Sequence, residues 1–237
     1  MPGTPSTRTR SALFALPLAV AGVLATVATP AGATPRAGAP QATSPRPAVP
    51  QSTATPSGES RPGAAVTCRG AGVDPKAVVR YQAETVIRAP LRTIWKLQTD
   101  VERWPSWQRP VETADRLDHG RFREGSAFHW TTPVRGVPSI PDTTLGITST
   151  VEQLKRHSCI RWTGPAVGEG LRIDNGVHVW TFTEVRGGVL VRTAETHTGA
   201  QVEADVPTAT ALLGAGLEAW LSDLKVAAEA RDGYRSR

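Results

Sequence analysis

Two ionisable side chains in the C-terminal half of the sequence, His178 and Glu195, could transfer protons. Each lies in a segment where polar and apolar residues alternate, which is the pattern of a half-buried β-strand. Arg192 belongs in water, so the opposite parity sends Thr193 and Glu195 to the interior. His178 shares the parity of Trp180 and also points inward. Desolvation would raise the pKa of a buried carboxylate and a nearby imidazole could share its proton, so the pair could act as an acid and a base.

The alternative is that His178 and Glu195 are structural groups whose hydrogen bonds are satisfied inside the core. Other catalytic chemistries have no support in the sequence. It contains no Gly-rich phosphate loop, no His-x-x-x-His pair and no Cys-x-x-Cys pair, so we expect no nucleotide, metal or other cofactor. Ser149 and Ser158 lack the Gly-x-Ser-x-Gly elbow of the common serine hydrolases.

Several large apolar side chains share the inward parity of these polar groups. Arg161 should stay in water, which turns Trp162 inward, and the same alternation turns Trp130 and Phe182 inward. These aromatic residues predict the wall of an apolar pocket. The alternative is that they fill the core, because seven Trp residues can be used in packing alone. The predicted ligand-binding residues are Trp130, Trp162, Trp180, Phe182, Val191, Thr193, Leu213 and Leu217.

A long C-terminal helix must close this pocket. Its apolar residues recur at intervals of three and four and form one stripe, which predicts a helix over residues 207–231. Gly214 and Gly216 would thin this helix where a ligand approaches it. The stripe consists of Leu213, Leu217, Trp220, Leu221, Leu224 and Ala228.

The stripe needs a partner surface, which short strands supply. The first strand spans residues 80–88, and Pro90 then opens a short helix that runs through residue 97. We expect Asp100 to cap a second short helix or turn. Six further strands are predicted at residues 111–117, 126–132, 146–155, 158–164, 176–185 and 189–198.

The connections predict an antiparallel meander. Gly-bearing turns at residues 174–176 and 186–188 are hairpin signals. The connection over residues 133–145 contains three prolines and is longer than a hairpin needs. We expect it to flank the mouth of a cavity.

The N-terminal segment predicts export. Residues 1–33 have a basic start, an apolar stretch over residues 12–28 and small residues at 31–33, which are the three zones of a secretory signal peptide. Residues 34–66 are mostly Pro, Ala, Thr, Ser and Gly and predict a disordered spacer. The folded domain is therefore residues 67–237 of a secreted or cell-surface protein, with cleavage near Ala33. An uncleaved signal is the alternative and would be the only membrane contact.

The charge of the folded domain argues against a nucleic-acid partner. Residues 1–66 hold five of the 27 Lys and Arg residues and one of the 21 acidic residues, so the formal charge falls from +6 to +2 on residues 67–237. Without a Lys/Arg run, this small net charge predicts no nucleic-acid partner.

An exported chain meets an oxidising environment, where Cys68 and Cys159 could form a disulfide. Two unpaired thiols are the alternative.

Residues 84–107, ETVIRAPLRTIWKLQTDVERWPSW, resemble the opening signature of the START-like (SRPBCC) superfamily, particularly its polyketide cyclase/dehydrase branch. That signature is a strand ending at Ala-Pro, a helix with an Ile-Trp pair, then an Asp and a Trp-Pro-x-Trp. The resemblance continues in residues 178–182 and 187–191 and covers about residues 80–231. It implies the α+β helix-grip fold, a curved antiparallel sheet of about seven strands wrapped around a long C-terminal helix, with two short helices after the first strand.

Taken with the signal segment and the packing alternative, the resemblance leaves three kinds of function open. The first is an exported protein that holds a small apolar or aromatic ligand, lipid or polyketide-like, between sheet and helix. The second is a polyketide cyclase/dehydrase-type enzyme in which Glu195 and His178 transfer protons. The third is a cell-surface interaction module whose pocket is filled by its own side chains. The sequence does not determine the ligand or the oligomeric state.

Overall fold

The protein is described by a computed structural model covering residues 65–235. The predicted signal and nearly all of the predicted spacer lie outside the described residues. Val66, the last spacer residue, is buried. The strands are β1 Val79–Ile87, β2 Thr113–Arg116, β3 Ala127–Val134, β4 Thr143–Lys155, β5 Cys159–Gly168, β6 Leu171–Val185 and β7 Gly188–Thr198. The helices are α1 Leu91–Thr99, a 3₁₀ helix Val101–Ser106, α2 Ala200–Glu203 and α3 Val206–Arg235.

The seven strands form one antiparallel sheet in the order β1-β7-β6-β5-β4-β3-β2. Consecutive strands from β2 to β7 are neighbours, as expected for a meander, and β1 pairs with β7 because α1 carries the chain across to the far edge. The curved sheet wraps α3, which confirms the predicted α+β helix-grip fold. The two short helices after β1 are also confirmed.

The predicted stripe of α3 is buried against the sheet. Every one of its six residues is at most 7% exposed, which confirms the helical periodicity. The interior that it covers has two parts. Around Trp220, Leu221 and Leu224 lies a core of large aromatic side chains, and around Leu213 and Leu217 lies a second, mainly aliphatic cluster.

The outer face of the sheet is covered by the chain segment before β1. Cys68 and Cys159 form a disulfide there, and both are buried beside Val179 and Ala194. The Nε atom of Arg161 donates a hydrogen bond to the carbonyl of residue 72. Cys159 therefore has the outward parity of Arg161, yet the segment buries it.

Two local predictions are wrong. Residues 174–176 form no turn, because β6 begins at Leu171 and the turn lies at residues 169–170, where Gly170 has a φ of 69°. The sequence signal misleads because Gly176 serves close strand packing and not chain reversal. Asp100 precedes the 3₁₀ helix but makes no capping hydrogen bond, and its carboxylate lies 3.6 Å from the Arg103 guanidinium instead.

Candidate functional site

A cavity of about 300 Å³ lies between the N-terminal half of α3 and the inner face of the sheet. Leu213, Leu217, Leu145, Leu171 and Ile173 supply much of its apolar wall. The connection between β3 and β4 contributes Arg135 and Ile140, so the long loop flanks the cavity as predicted. The exposed lining residues Pro133, Arg135 and Gly216 mark the mouth.

The cavity exists because the inward positions beyond the aromatic core carry small residues. Gly164, Ala166 and Gly176 line it from β5 and β6, and Ala209 and Gly216 line it from α3. Gly164 is also required by the sheet itself. A Cβ atom at this position would lie 1.8 Å from the carbonyl oxygen of Thr148 on β4.

The floor of the cavity is the edge of the aromatic core. Trp130, Trp162 and Trp220 line it, and Trp220 packs edge-on against Trp130 with ring centroids 5.4 Å apart. Behind them Trp104 contacts Trp220 at 5.0 Å and Phe128 at 5.4 Å. The interior is thus solid at one end of the sheet and hollow at the other.

Four of the predicted ligand-binding residues belong to the solid end. Trp180, Phe182, Val191 and Thr193 point inward but do not line the cavity. Trp180 packs on Trp220 at 5.5 Å, and Phe182 packs on Trp95 at 5.5 Å. Strand parity predicts the face of a side chain and not its position along the strand, so it could not separate the two ends. The predicted residues that do line the cavity are Trp130, Trp162, Leu213 and Leu217.

The two predicted polar residues meet across β6 and β7. His178 and Glu195 are directly opposite in the register, and 3.2 Å separate Nδ1 of His178 from Oε2 of Glu195. Glu195 lines the cavity, whereas His178 is 2% exposed and lies behind it. Nε2 of His178 is 2.7 Å from the Thr193 hydroxyl. These contacts fit a neutral imidazole that keeps its proton on Nδ1 and accepts the Thr193 hydroxyl at Nε2.

His197 completes this cluster and was missed from the sequence. Its Nε2 lies 3.3 Å from Oε1 of Glu195, so the carboxylate sits between two imidazoles. His197 also lines the cavity. His197 follows Glu195 by two residues on β7, so both side chains point to the same, inner face of the sheet. Extending the alternation from Glu195 to the next inward position would have identified His197.

The fold lowers the pKa values of both His178 and Glu195. Burial lowers the pKa of His178 to about 4, against the attraction of Glu195 and with a further decrease from His197. Burial raises the pKa of Glu195, but the electrostatic interaction with His178 and the hydrogen bond from His197 outweigh it and bring that pKa below its ordinary value. The expected rise for Glu195 is therefore wrong, because two imidazoles compensate the desolvation. At neutral pH the site holds a carboxylate beside a neutral imidazole.

Two more polar atoms in the cavity wall have no hydrogen-bond partner among the described residues. They are Oε1 of Gln108 and the indole N–H of Trp220. Ser149 also lines the cavity, and its hydroxyl is 3.4 Å from the indole N–H of Trp130.

Gly214 does not face the cavity as predicted. A Cβ atom there would lie 2.7 Å from the Tyr81 ring, so this glycine lets α3 approach β1. Gly216 faces open space beside the cavity.

Among residues 65–235 no group of three or more His, Cys, Asp or Glu side chains could hold a metal ion, and this includes the cluster at Glu195. No helix of the same part of the chain is long and apolar enough to cross a membrane.

A sheet gripping a helix over an apolar hollow defines the START-like superfamily. Within it, the chain belongs to the family described as polyketide cyclase/dehydrase and lipid transport, which matches residues 78–229. No curated protein matches the sequence.

Two solved structures of low sequence identity share the fold, and a third is more weakly similar. TTHA0849 from Thermus thermophilus is 17% identical, with a TM-score of 0.51 over 64% of this chain and 98% of its own. A START superfamily protein from Mycobacterium smegmatis is 13% identical, with a TM-score of 0.51 over 65% of this chain and 97% of its own. The Zhui aromatase/cyclase from a Streptomyces species is 15% identical, with a TM-score of 0.46 over 64% of this chain and 94% of its own.

Proposed function

We propose that the cavity beneath α3 binds a small apolar or aromatic molecule with one polar group. The observation that carries this proposal is the hollow of about 300 Å³, whose wall is mainly apolar but includes Glu195 and His197. Ligand sites combine apolar walls with a few polar groups in this way, and the volume lies at the lower end of their range. A compact ring system fits such a volume better than a two-chain lipid.

Binding can be measured with N-phenyl-1-naphthylamine, a neutral aromatic probe. Excitation of tryptophan should increase the fluorescence of the bound probe by energy transfer, because Trp130, Trp162 and Trp220 form the cavity floor. Ala166→Phe adds a ring inside the cavity and should abolish the signal. Ala215→Phe adds the same ring at an exposed position of α3 outside the cavity and should leave it unchanged. Equal binding by Ala166→Phe and the wild type would refute the proposal.

Catalysis is the second candidate function, favoured by the position of Glu195 between two imidazoles in the cavity wall. The ionised carboxylate would remove a proton from a carbon next to a ketone, leaving the electron pair on the enolate oxygen. The Glu195 carboxylic acid formed in this step would then return the proton to the product. This is the proton transfer that aldol cyclisation and dehydration require.

The enzyme and the carrier can be separated by hydrogen exchange. If Glu195 is a base, the protein should accelerate exchange of the α-protons of 1-tetralone in D₂O, followed by NMR. Glu195→Gln should remove the acceleration but still bind the naphthylamine probe. An exchange rate equal to that without protein would leave only the binding function.

We also propose that the protein is exported, as the N-terminal segment predicts. The Cys68–Cys159 disulfide supports this, because structural disulfides persist in oxidising compartments. The intact mass of protein recovered from the culture medium should correspond to cleavage near Ala33. Recovery of the full-length chain from the cytoplasm alone would contradict export.

A further inference from the structure

A second hollow lies at the other end of α3, away from the apolar cavity. It is an open cleft of about 1160 Å³ between α1, the connection from β2 to β3, the β4–β5 turn and the C-terminal end of α3. Five cations line it and no Asp or Glu does. We call it the basic cleft. Its cations are Arg92, Lys96, Arg121, Arg156 and Arg231.

The five cations of the basic cleft have no ion-pair partner among the described residues 65–235. Three carboxylates beside the cleft already bind other cations. These ion pairs are Arg69–Glu124, Arg116–Asp118 and Lys225–Glu229.

Such clustering is not a consequence of the overall charge. Residues 67–237 carry a formal net charge of only +2, yet five cations from four separate segments converge on one cleft. Like charges brought together repel one another, and a bound anion would relieve that repulsion. The cleft is therefore a focus of positive potential on an otherwise nearly balanced domain.

The floor of the cleft differs from its rim. All five cations are exposed, whereas Trp95, Phe122 and Leu154 lie below them and are buried or half-buried. The Trp95 ring is held edge-on by His157 at 5.6 Å and by Phe182 at 5.5 Å. A rigid apolar floor under a cationic rim suits a ligand that has both an anionic group and an apolar part.

The geometry points to a phosphate-bearing molecule with an apolar part as the ligand of the basic cleft. Four of the five cations are arginines, whose planar guanidinium groups bind phosphate through paired hydrogen bonds. The apolar part would lie against Trp95 and Phe122. The source is either a free phosphorylated molecule or the headgroup of a membrane phospholipid, and the two share the same chemistry.

The test uses the purified disulfide-bonded protein and two probes. Dihexanoyl phosphatidic acid below its micelle concentration, titrated by calorimetry, represents the free molecule. Sedimentation with vesicles of phosphatidylglycerol and phosphatidylcholine, against phosphatidylcholine alone, represents the headgroup. Binding to the soluble probe only assigns a free ligand, and binding to the anionic vesicles assigns the membrane source. Absence of binding to both probes at low salt would overturn the proposal.

Paired variants distinguish a site from general charge. Arg121→Ala with Arg156→Ala should weaken binding at least about tenfold, since each removes a charged hydrogen-bond donor. Both side chains are exposed and make no ion pair among the described residues, so the fold should be retained. Lys76→Ala with Arg186→Ala removes the same charge outside the cleft and should change binding less than about twofold. Equal losses in the two double variants would show that the cleft is not a specific site.

Discussion

At the residue scale, the fold strongly shifts the ionisation of His178. It is buried, its two ring nitrogens face a carboxylate and a hydroxyl, and burial lowers its pKa from 6.5 to about 4. The unfolded chain would protonate this histidine near its ordinary pKa. Between those two values the unfolded state therefore binds more protons than the folded state.

We expect the free energy of unfolding to decrease as the pH falls from 6.5 to 4. The difference between the two pKa values corresponds to about 3 kcal/mol, which is fully present above pH 6.5 and lost as the pH falls toward 4. Urea denaturation at half-unit pH steps would measure it. Carboxylates with lowered pKa values, such as Glu195, further decrease the free energy of unfolding only when the pH falls below their ordinary pKa.

The contribution of His178 itself is isolated by substitution. His178→Gln should flatten the dependence between pH 6.5 and 4, although the variant starts from a lower stability. His119→Gln changes an exposed histidine and should keep the wild-type slope. Parallel curves for the wild type and His178→Gln would mean that this imidazole titrates normally.

At the level of elements, the contact of α3 with β1 depends on Gly214, whereas Gly216 lies at the mouth of the cavity. Gly214 faces the Tyr81 ring, and the Tyr81 hydroxyl donates a hydrogen bond to Glu218 on the same helix. The ring is therefore held from two sides and cannot easily move. Gly216, half a turn further along α3, has nothing within 4 Å of its Cβ position.

The two glycines form a matched pair for a stability measurement. Gly216→Ala should stabilise the protein by about 0.5–1 kcal/mol, because alanine is the better helix former and finds open space. Gly214→Ala gains the same propensity but places a methyl group 2.7 Å from the Tyr81 ring, so we expect a net loss of about 1 kcal/mol or more. Thermal unfolding would report both changes. If the two variants have the same melting temperature, α3 does not press on β1 as described.

At the scale of the whole molecule, the disulfide ties the segment before β1 to the outer face of the sheet. Cys68 and Cys159 are 91 residues apart, and each is buried against Val179 and Ala194. Cross-linking such a long loop restricts the unfolded chain more than the folded one. The disulfide therefore acts on the stability of the domain and lies on the face opposite the cavity.

Removal of the disulfide should lower the free energy of unfolding by about 2–4 kcal/mol. Guanidinium denaturation of the oxidised protein and of Cys68→Ala with Cys159→Ala would measure the difference. Reducing agent should shift the wild-type midpoint to that of the double variant and leave the variant itself unchanged. An identical midpoint for oxidised and reduced wild type would contradict a stabilising disulfide.

The sequence by itself determined the elements and their faces. Alternation placed His178 and Glu195 on the inner face, the helical stripe identified the buried side of α3, and the family signature over residues 84–107 predicted their assembly. The elements and their faces follow from local periodicity, which is determined by the order of residues. Their assembly, in contrast, was implied by the resemblance to a known family.

Only the tertiary structure decided where along each strand the interior is solid and where it is hollow. Trp180 and Trp162 both face inward, yet only Trp162 borders the cavity, whereas Trp180 packs on Trp220 outside its lining. The clustering of Arg92, Arg121 and Arg231 likewise arises from segments far apart in the chain. Parity and composition carry no information about distance between such segments, whereas packing fixes it.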